Sequence, residues 1–305
     1  MDRLTVTRFA PSPTGHLHLG HAHAALFAWE QARARGGRFL LRIEDIDARR
    51  CRRQFEDDLL SDLAWLGEGL GEGPSKGMEG FGWEEPPRRQ SECLAEYASA
   101  LARLEGMGLL YPCFCTRAEI RAEIEQAVVA THGSPHGLDG PLYPGTCRRL
   151  GAEEQQARRE GGDSYALRLD MAKAVEMAGG TEGGGGSGLE WRDVIKGVVT
   201  ARPKVHGDVV LARKDIATSY HLAVTLDDHS QGVTLVTRGE DLFAATHVHR
   251  LLQALLGLYV PGYHHHGLIM GPDGQRLAKR NKAATLRELR EDGVTPVEAR
   301  KMAGF

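Results

Sequence analysis

Apolar spacing switches twice within the first fifty residues. Leu4 to Arg8 reads as a short buried strand, broken by Pro11 and Pro13. The Ala- and Leu-rich stretch from about His18 to Arg35 predicts a helix, ended by Gly36-Gly37. Arg38 to Ile43 predicts a second strand. A strand, a helix and a strand of these lengths make a βαβ unit, which implies an α/β fold with a parallel sheet and a right-handed crossover. Ligands in such sheets bind beyond the carboxyl ends of strands, and Ser12 and Glu44 both fall there.

The pattern continues with an amphipathic helix over Gln54–Leu66, a Gly-, Pro- and Glu-rich loop over Gly67–Pro87 and a helix over Ser91–Gly108. Leu109–Arg149 carries clustered cysteines and many turn residues, which fits a small separate subdomain better than more of the sheet. Gly179–Gly188 is mostly glycine, predicts a mobile loop and lacks the spacing of a phosphate-binding fingerprint. Val205–Leu211 and Val233–Thr237 predict strands, and His247–Leu256 and Leu286–Leu289 predict helices. The expected division is 1–108, the first half of a main domain; 109–195, an insertion; and 196–305, its second half.

The chain has 305 residues, of which 41% are apolar, enough for a sizeable core. No apolar run reaches the ~20 residues of a membrane span, and Met1-Asp2-Arg3-Leu4 has no signal-peptide pattern, so a cytoplasmic protein is expected. A net charge of -3 argues against bulk coating of nucleic acid but not against a local RNA site. Two basic clusters exist, Arg49, Arg50, Arg52 and Arg53, then Arg276, Lys279, Arg280 and Lys282; each is read first as a solvated face, with phosphate contact as the alternative. The five cysteines do not suggest a disulfide framework. Cys113, Cys115 and Cys147 suggest a metal site instead, because soft thiolates favour zinc. Cys51 and Cys93 are read as packing residues.

Two segments carry the chemistry. The first is Arg8-Phe9-Ala10-Pro11-Ser12-Pro13-Thr14-Gly15-His16-Leu17-His18-Leu19-Gly20-His21. His18 and His21 stand three apart at the start of the expected helix, where both imidazoles can donate to phosphate oxygens near a positive helix terminus. Gly20 leaves room for an adenine ring against the backbone. The second is Arg276-Leu277-Ala278-Lys279-Arg280, in which Lys279 can supply positive charge to a leaving pyrophosphate. Arg8 suits a carboxylate and Glu44 an ammonium group. The bland alternatives are a His-rich surface helix and a basic turn.

Together these segments resemble the HIGH and KMSKS signatures of class I aminoacyl-tRNA synthetases, in their glutamyl form. Ser219-Tyr220-His221-Leu222-Ala223-Val224-Thr225-Leu226-Asp227-Asp228 and Thr237-Arg238-Gly239-Glu240-Asp241-Leu242 match as well. The resemblance covers about residues 4–290 and implies a Rossmann-type class I catalytic domain with an inserted zinc-binding or acceptor-like subdomain. It implies ATP with Mg2+, glutamate held by Arg8, Phe9, Ala10, Pro11, Ser12, Glu44, Tyr220 and Arg238, and ATP held by His18, Gly20, His21 and Lys279. It also implies structural Zn2+ on Cys113, Cys115, Tyr143 and Cys147. Arg276, Ala278 and Arg280 depart from the family loop, and the lost serine hydroxyl removes a phosphate donor. The gap from Cys115 to Tyr143 is long for the family and contains His132 and His136, chemically better ligands than a phenol.

The short stretch after Lys279 leaves no room for an anticodon-binding domain. The chain therefore resembles the truncated paralogues of glutamyl-tRNA synthetase, which activate L-glutamate without tRNA and transfer it to queuosine in the anticodon loop of tRNA(Asp). Two other readings stay open: a minimal synthetase charging a tRNA acceptor end, and a non-catalytic RNA- or amino-acid-binding paralogue. Nothing in the sequence requires more than a monomer.

Overall fold

The computed structural model describes residues 3–73, 80–83, 86–131, 136–137, 140–179, 188–269 and 284–305, with the side chains of 125–141 outside that description. Strand β1 (Val6–Phe9), helix α1 (Leu19–Arg33) and strand β2 (Arg38–Ile43) form the expected βαβ unit, with β1 and β2 parallel in the register Arg8↔Leu40. Gly37 is fixed by space: a Cβ there would stand 2.1 Å from the Thr5 carbonyl oxygen, which accepts the Arg38 N–H. Helix α2 (Arg53–Gly67) returns the chain to β3 (Arg88–Arg89), which adds parallel to β2.

Helix α3 (Leu94–Gly106) starts later than its sequence predicts, because Gln90–Glu92 winds as a 3-10 turn. A second sheet follows, with β4 (Leu110–Cys113) and β8 (Val210–Ala212) flanking β5 (Ala166–Leu169), all antiparallel. Helices α4 (Arg117–Thr131), α5 (Ala152–Glu160) and α6 (Met171–Met177) lie in the same part of the chain. The expected strand over Val205–Leu211 is only partly formed. Pro203–His206 is a 3-10 turn and Gly207 takes φ +60, so extended backbone begins at Val210.

The third sheet has the order β9, β10, β6, β7. It comprises β6 (Glu190–Asp193), β7 (Gly197–Thr200), β9 (Leu235–Gly239) and β10 (Gly262–His266). β9 and β10 are parallel with Arg238 beside His265, and β10 meets β6 at Tyr263↔Asp193. The first and third sheets meet edge to edge at Thr234, whose N–H donates to Val6 O at 3.0 Å and whose hydroxyl accepts the Val6 N–H at 2.8 Å.

Helix α7 (Tyr220–Ser230) is capped by Ser219, and α8 (Ala245–Leu256) ends on left-handed Gly257. One core joins α1 and α2 to α9 (Leu286–Glu291) and α10 (Pro296–Met302) through Leu26, Trp29, Leu63, Leu286 and Ala299. A second joins α3, α7 and α8 through Tyr97, Leu222, Val248 and Leu252. No helix among the described residues is long and apolar enough to cross a membrane.

Candidate active site

The carboxyl ends of β1, β2, β9 and β10 and the start of α1 open on one cavity of about 420 Å³. Arg8, Phe9, Ala10, Pro11, Ser12, His18, Gly20, His21, Glu44, Tyr220 and Arg238 all line it. Every site residue expected from the two N-terminal and central motifs therefore faces one space. Lys279 and its neighbours Arg276, Ala278 and Arg280 lie outside the described residues. The described chain on either side of them is placed, however. Leu268 and Ile269 line the cavity, and Thr285 bridges to His18 while Leu17 O accepts the Leu286 N–H.

His18 caps α1. Its Nδ1 accepts the Gly20 N–H at 3.1 Å, and the His21 Nδ1 accepts the His18 N–H at 3.2 Å. A backbone N–H can only donate, so both rings hold a lone pair on Nδ1 and a neutral ring carries its proton on Nε2. The imidazoles lie 3.9 Å apart between centroids. Both rings line the cavity at the start of α1, where an imidazole Nε2–H is suited to an anion.

The charged floor is a chain of buried ions. Arg8 gives Nε to Asp228 at 2.9 Å and Nη1 to Thr237 O at 2.9 Å, which leaves Nη2 without a protein partner among the described residues. Arg42, fully buried, pairs with Asp228 and stands 3.8 Å from Asp227 and 3.9 Å from Glu44. Asp227 also takes Arg88, Gln90 and Tyr97. Both aspartates end α7, where the helix dipole disfavours a negative charge, so the arginines must offset position as well as burial. Sequence reading gave Asp227 and Asp228 no role; their signal was the acidic pair at a helix end facing three arginines. Asp47 pairs with Arg213, and Asp45 accepts the N–H and the hydroxyl of Ser91.

Burial pushes the Glu44 carboxyl up, against the pull of Arg42 and Arg8, to about 7. An incoming ammonium would restore its charge. The ionised form in the free protein binds such a cation, and it declines as pH falls through about 7. If Glu44 holds the ammonium of an amino acid, kcat/KM for that amino acid should fall by roughly tenfold per unit below about pH 7, whereas kcat should vary less. A flat kcat/KM profile between about pH 5 and pH 9 would remove Glu44 from that role.

Arg238 is buried with neutral partners. It donates to His265 Nε2 at 3.2 Å, to Tyr220 Oη at 3.3 Å, to His249 Nδ1 at 3.2 Å and to Thr246 Oγ1. No carboxylate approaches it within ion-pair distance among the described residues. Next to Arg238 on β9, Gly239 lies against Asp241: a Cβ at Gly239 would come 2.4 Å from the Asp241 Oδ1 and 2.8 Å from Leu268.

Away from the cavity, the Sγ atoms of Cys113, Cys115 and Cys147 lie within 4.8 Å of one another. Sulfurs around a tetrahedral zinc stand ~3.8 Å apart, so the cluster has the size to hold a metal ion. Tyr143 Oη is 3.6 Å from Cys115 Sγ and accepts the Cys147 N–H at 2.9 Å. The side chains of His132 and His136 lie outside the description. Cys93 packs in the second core, and Cys51 is half-buried near Glu44 O.

Residues 5–302 match the family of class I tRNA synthetases (E and Q), catalytic domain. The chain is 49% identical over 302 residues to the Glutamyl-Q tRNA(Asp) synthetase of Rhodobacter capsulatus, covering 98% of this chain and 100% of that one. It is 43% identical to a protein of the same name from Symbiobacterium thermophilum, over 95% of this chain and 82% of that one. It is also 36% identical to Glutamate--tRNA ligase 2 of Syntrophus aciditrophicus, over 95% of this chain but 54% of that one. The glutamate-tRNA synthetase structure from Elizabethkingia anophelis superposes with a TM-score of 0.71 at 28% identity, over 92% of this chain and 53% of that chain. The chain belongs to the class I tRNA synthetase family of the glutamate and glutamine enzymes, and it is a ligase of that family's catalytic-domain fold.

Proposed function

We propose that the protein activates L-glutamate with ATP, without tRNA, and transfers it to queuosine in the anticodon loop of tRNA(Asp). The carrying observation is that one cavity joins two Nε2–H donors at a helix N-terminus, the carboxyl of Glu44 and the buried cations Arg8 and Arg238. Those groups match the parts of the substrates: phosphate, ammonium and two carboxylates. The names of the relatives from R. capsulatus and S. thermophilum supply the acceptor.

In this reading an α-carboxylate oxygen attacks the α-phosphorus, and the bond to the β-phosphate oxygen breaks. Positioning and charge neutralisation do this work. His18 and His21 donate to phosphate oxygens, Glu44 holds the ammonium, and Lys279 adds charge at the leaving pyrophosphate. Mg2+ neutralises phosphate charge when it enters with the nucleotide. A hydroxyl of the queuosine cyclopentenediol then attacks the glutamyl carbonyl carbon, AMP leaves, and the hydroxyl proton passes to solvent. The order of β3, β2, β1, β9 and β10 supports a Rossmann-type sheet. We read the protein as a cytoplasmic monomer.

The matches to glutamate–tRNA ligases favour one second reading, charging of an acceptor end. ATP–pyrophosphate exchange with L-glutamate alone tests the first step. Exchange without tRNA is expected, and exchange that requires tRNA would overturn it.

Zinc is the metal we assign to Cys113, Cys115 and Cys147, with Tyr143 as the fourth group. Elemental analysis should find about one zinc per chain, and chelation should lower Tm by about 5 °C or more. Full stability and activity in metal-free protein would overturn the assignment.

A further inference from the structure

Arg238 is aimed by a chain of polarised rings. Asp193 Oδ1 accepts the N–H groups of Ile195 and Lys196, each at 2.9 Å, at the turn of the β6–β7 hairpin. Its Oδ2 lies 2.6 Å from His265 Nδ1. Arg238 Nε donates to His265 Nε2, so that nitrogen must hold a lone pair. The proton of His265 is therefore on Nδ1, donated to Asp193. The same logic runs the other way on α8. Arg238 Nη1 donates to His249 Nδ1, so His249 is protonated on Nε2, which faces His221 Nδ1 at 3.2 Å. Thr246, one turn earlier on the same face of α8, accepts from Nη2.

The donor count is decisive. A guanidinium has five N–H groups, and here four are spent on His265, Thr246, His249 and Tyr220, all neutral. One N–H remains, and the Tyr220 hydroxyl, having accepted from Arg238, keeps its own proton to donate. Both residues line the cavity. A buried cation without a counterion is costly, and among the described residues no carboxylate stands within ion-pair distance of Arg238.

We propose that Asp193 and His265 are positioning residues: they fix the hydrogen-bond polarity around Arg238 and so hold it, with Tyr220, ready for the substrate carboxylate that the glutamate reading already places there. The inference rests on the glutamate reading above and makes it specific. A carboxylate supplies acceptors to both remaining donors and the missing negative charge. A glutamine amide supplies one acceptor, no charge, and an NH2 that meets N–H.

Asp193→Asn tests the polarity. Its oxygen still serves Ile195 and Lys196, but its NH2 faces His265 and drives the proton to Nε2, against Arg238. The dissociation constant for L-glutamate by calorimetry, and its KM in exchange, should both rise about 10- to 100-fold, with the KM for ATP unchanged. The preference for L-glutamate over L-glutamine should shrink by a similar factor. His265→Gln places an amide oxygen toward Arg238 and an NH2 toward Asp193, so it should keep glutamate binding within about threefold of the parent, whereas His265→Leu should behave like Asp193→Asn. Gln as harmful as Leu, or an Asp193→Asn protein with parental affinity and discrimination, would overturn the proposal. If the parent binds glutamate by calorimetry yet shows no exchange, the activation reading fails while the subsite comparison stands. If the parent binds no glutamate, both fail.

Discussion

Asp228→Ala should be the most damaging single change to the fold outside the hydrophobic core. It would leave Arg8 and Arg42 buried beside each other without their shared carboxylate. Removing one member of a buried ion pair costs about 3–5 kcal/mol, chiefly because the remaining charge stays out of water. A Tm loss on the order of 10 °C follows for a chain of this size. Burial alone would raise the Asp228 carboxyl, but Arg8 and Arg42 hold it below its ordinary value of 3.8. The sign is fixed by that depression. The ionised native form binds fewer protons than the unfolded chain, so the stabilisation is fully present above about pH 4 and is lost as pH falls below it. Asp228→Asn should therefore lose stability at neutral pH and flatten the acid limb of the unfolding profile. Thermal melts across pH decide this; parental Tm at neutral pH in both variants would refute the charge network as a source of stability.

The second large effect is catalytic. His18→Asn keeps a side-chain acceptor where Nδ1 caps α1, and Asn caps helices well. It removes the ring and its Nε2–H. Loss of one preorganised donor to a developing negative charge costs about 10²- to 10³-fold in kcat. The variant should thus melt like the parent and exchange pyrophosphate on that reduced scale. His18→Ala should lose the same rate and, in addition, about 1 kcal/mol of stability from the missing cap. If His18→Asn retained parental kcat, the imidazole would be only a cap, and the assignment of its outer nitrogen to phosphate would be wrong. Rapid melts on both variants keep the two effects apart.

Much of the N-terminal half was legible because its periods are unmixed. Arg38–Ile43 is rich in large apolar residues and preceded by Gly36-Gly37, and it forms with those bounds. The third sheet was less legible. Gly262–His266 carries three histidines and no alternation, so it does not read as a strand; its role is to hold His265 beside Arg238. Glu190–Asp193 alternates exposed and buried residues over only four positions, too few to stand out. Helix α5 buries no residue at all and so has no apolar stripe to detect. Val205–Leu211 reads as a strand on Val205, Val209, Val210 and Leu211, but the 3-10 turn over Pro203–His206 and Gly207 at φ +60 interrupt it.

The candidate site divides in the same way. Arg8, Glu44, Tyr220 and Arg238 stand in motifs, and the structure gathers them around one cavity. Asp193, His249 and His265 carry no local signal. Their meaning depends on which nitrogen faces which partner across strands and helices far apart in the chain, and spacing does not encode that.

Transfer of labelled L-glutamate in the presence of ATP is the most direct test of the proposed activity. The acceptors are tRNA(Asp) with queuosine, tRNA(Asp) without it, and tRNA(Glu). Label on queuosine-containing tRNA(Asp) alone is the expected result. Label on the acceptor end of tRNA(Glu) would contradict it and make the protein a charging synthetase.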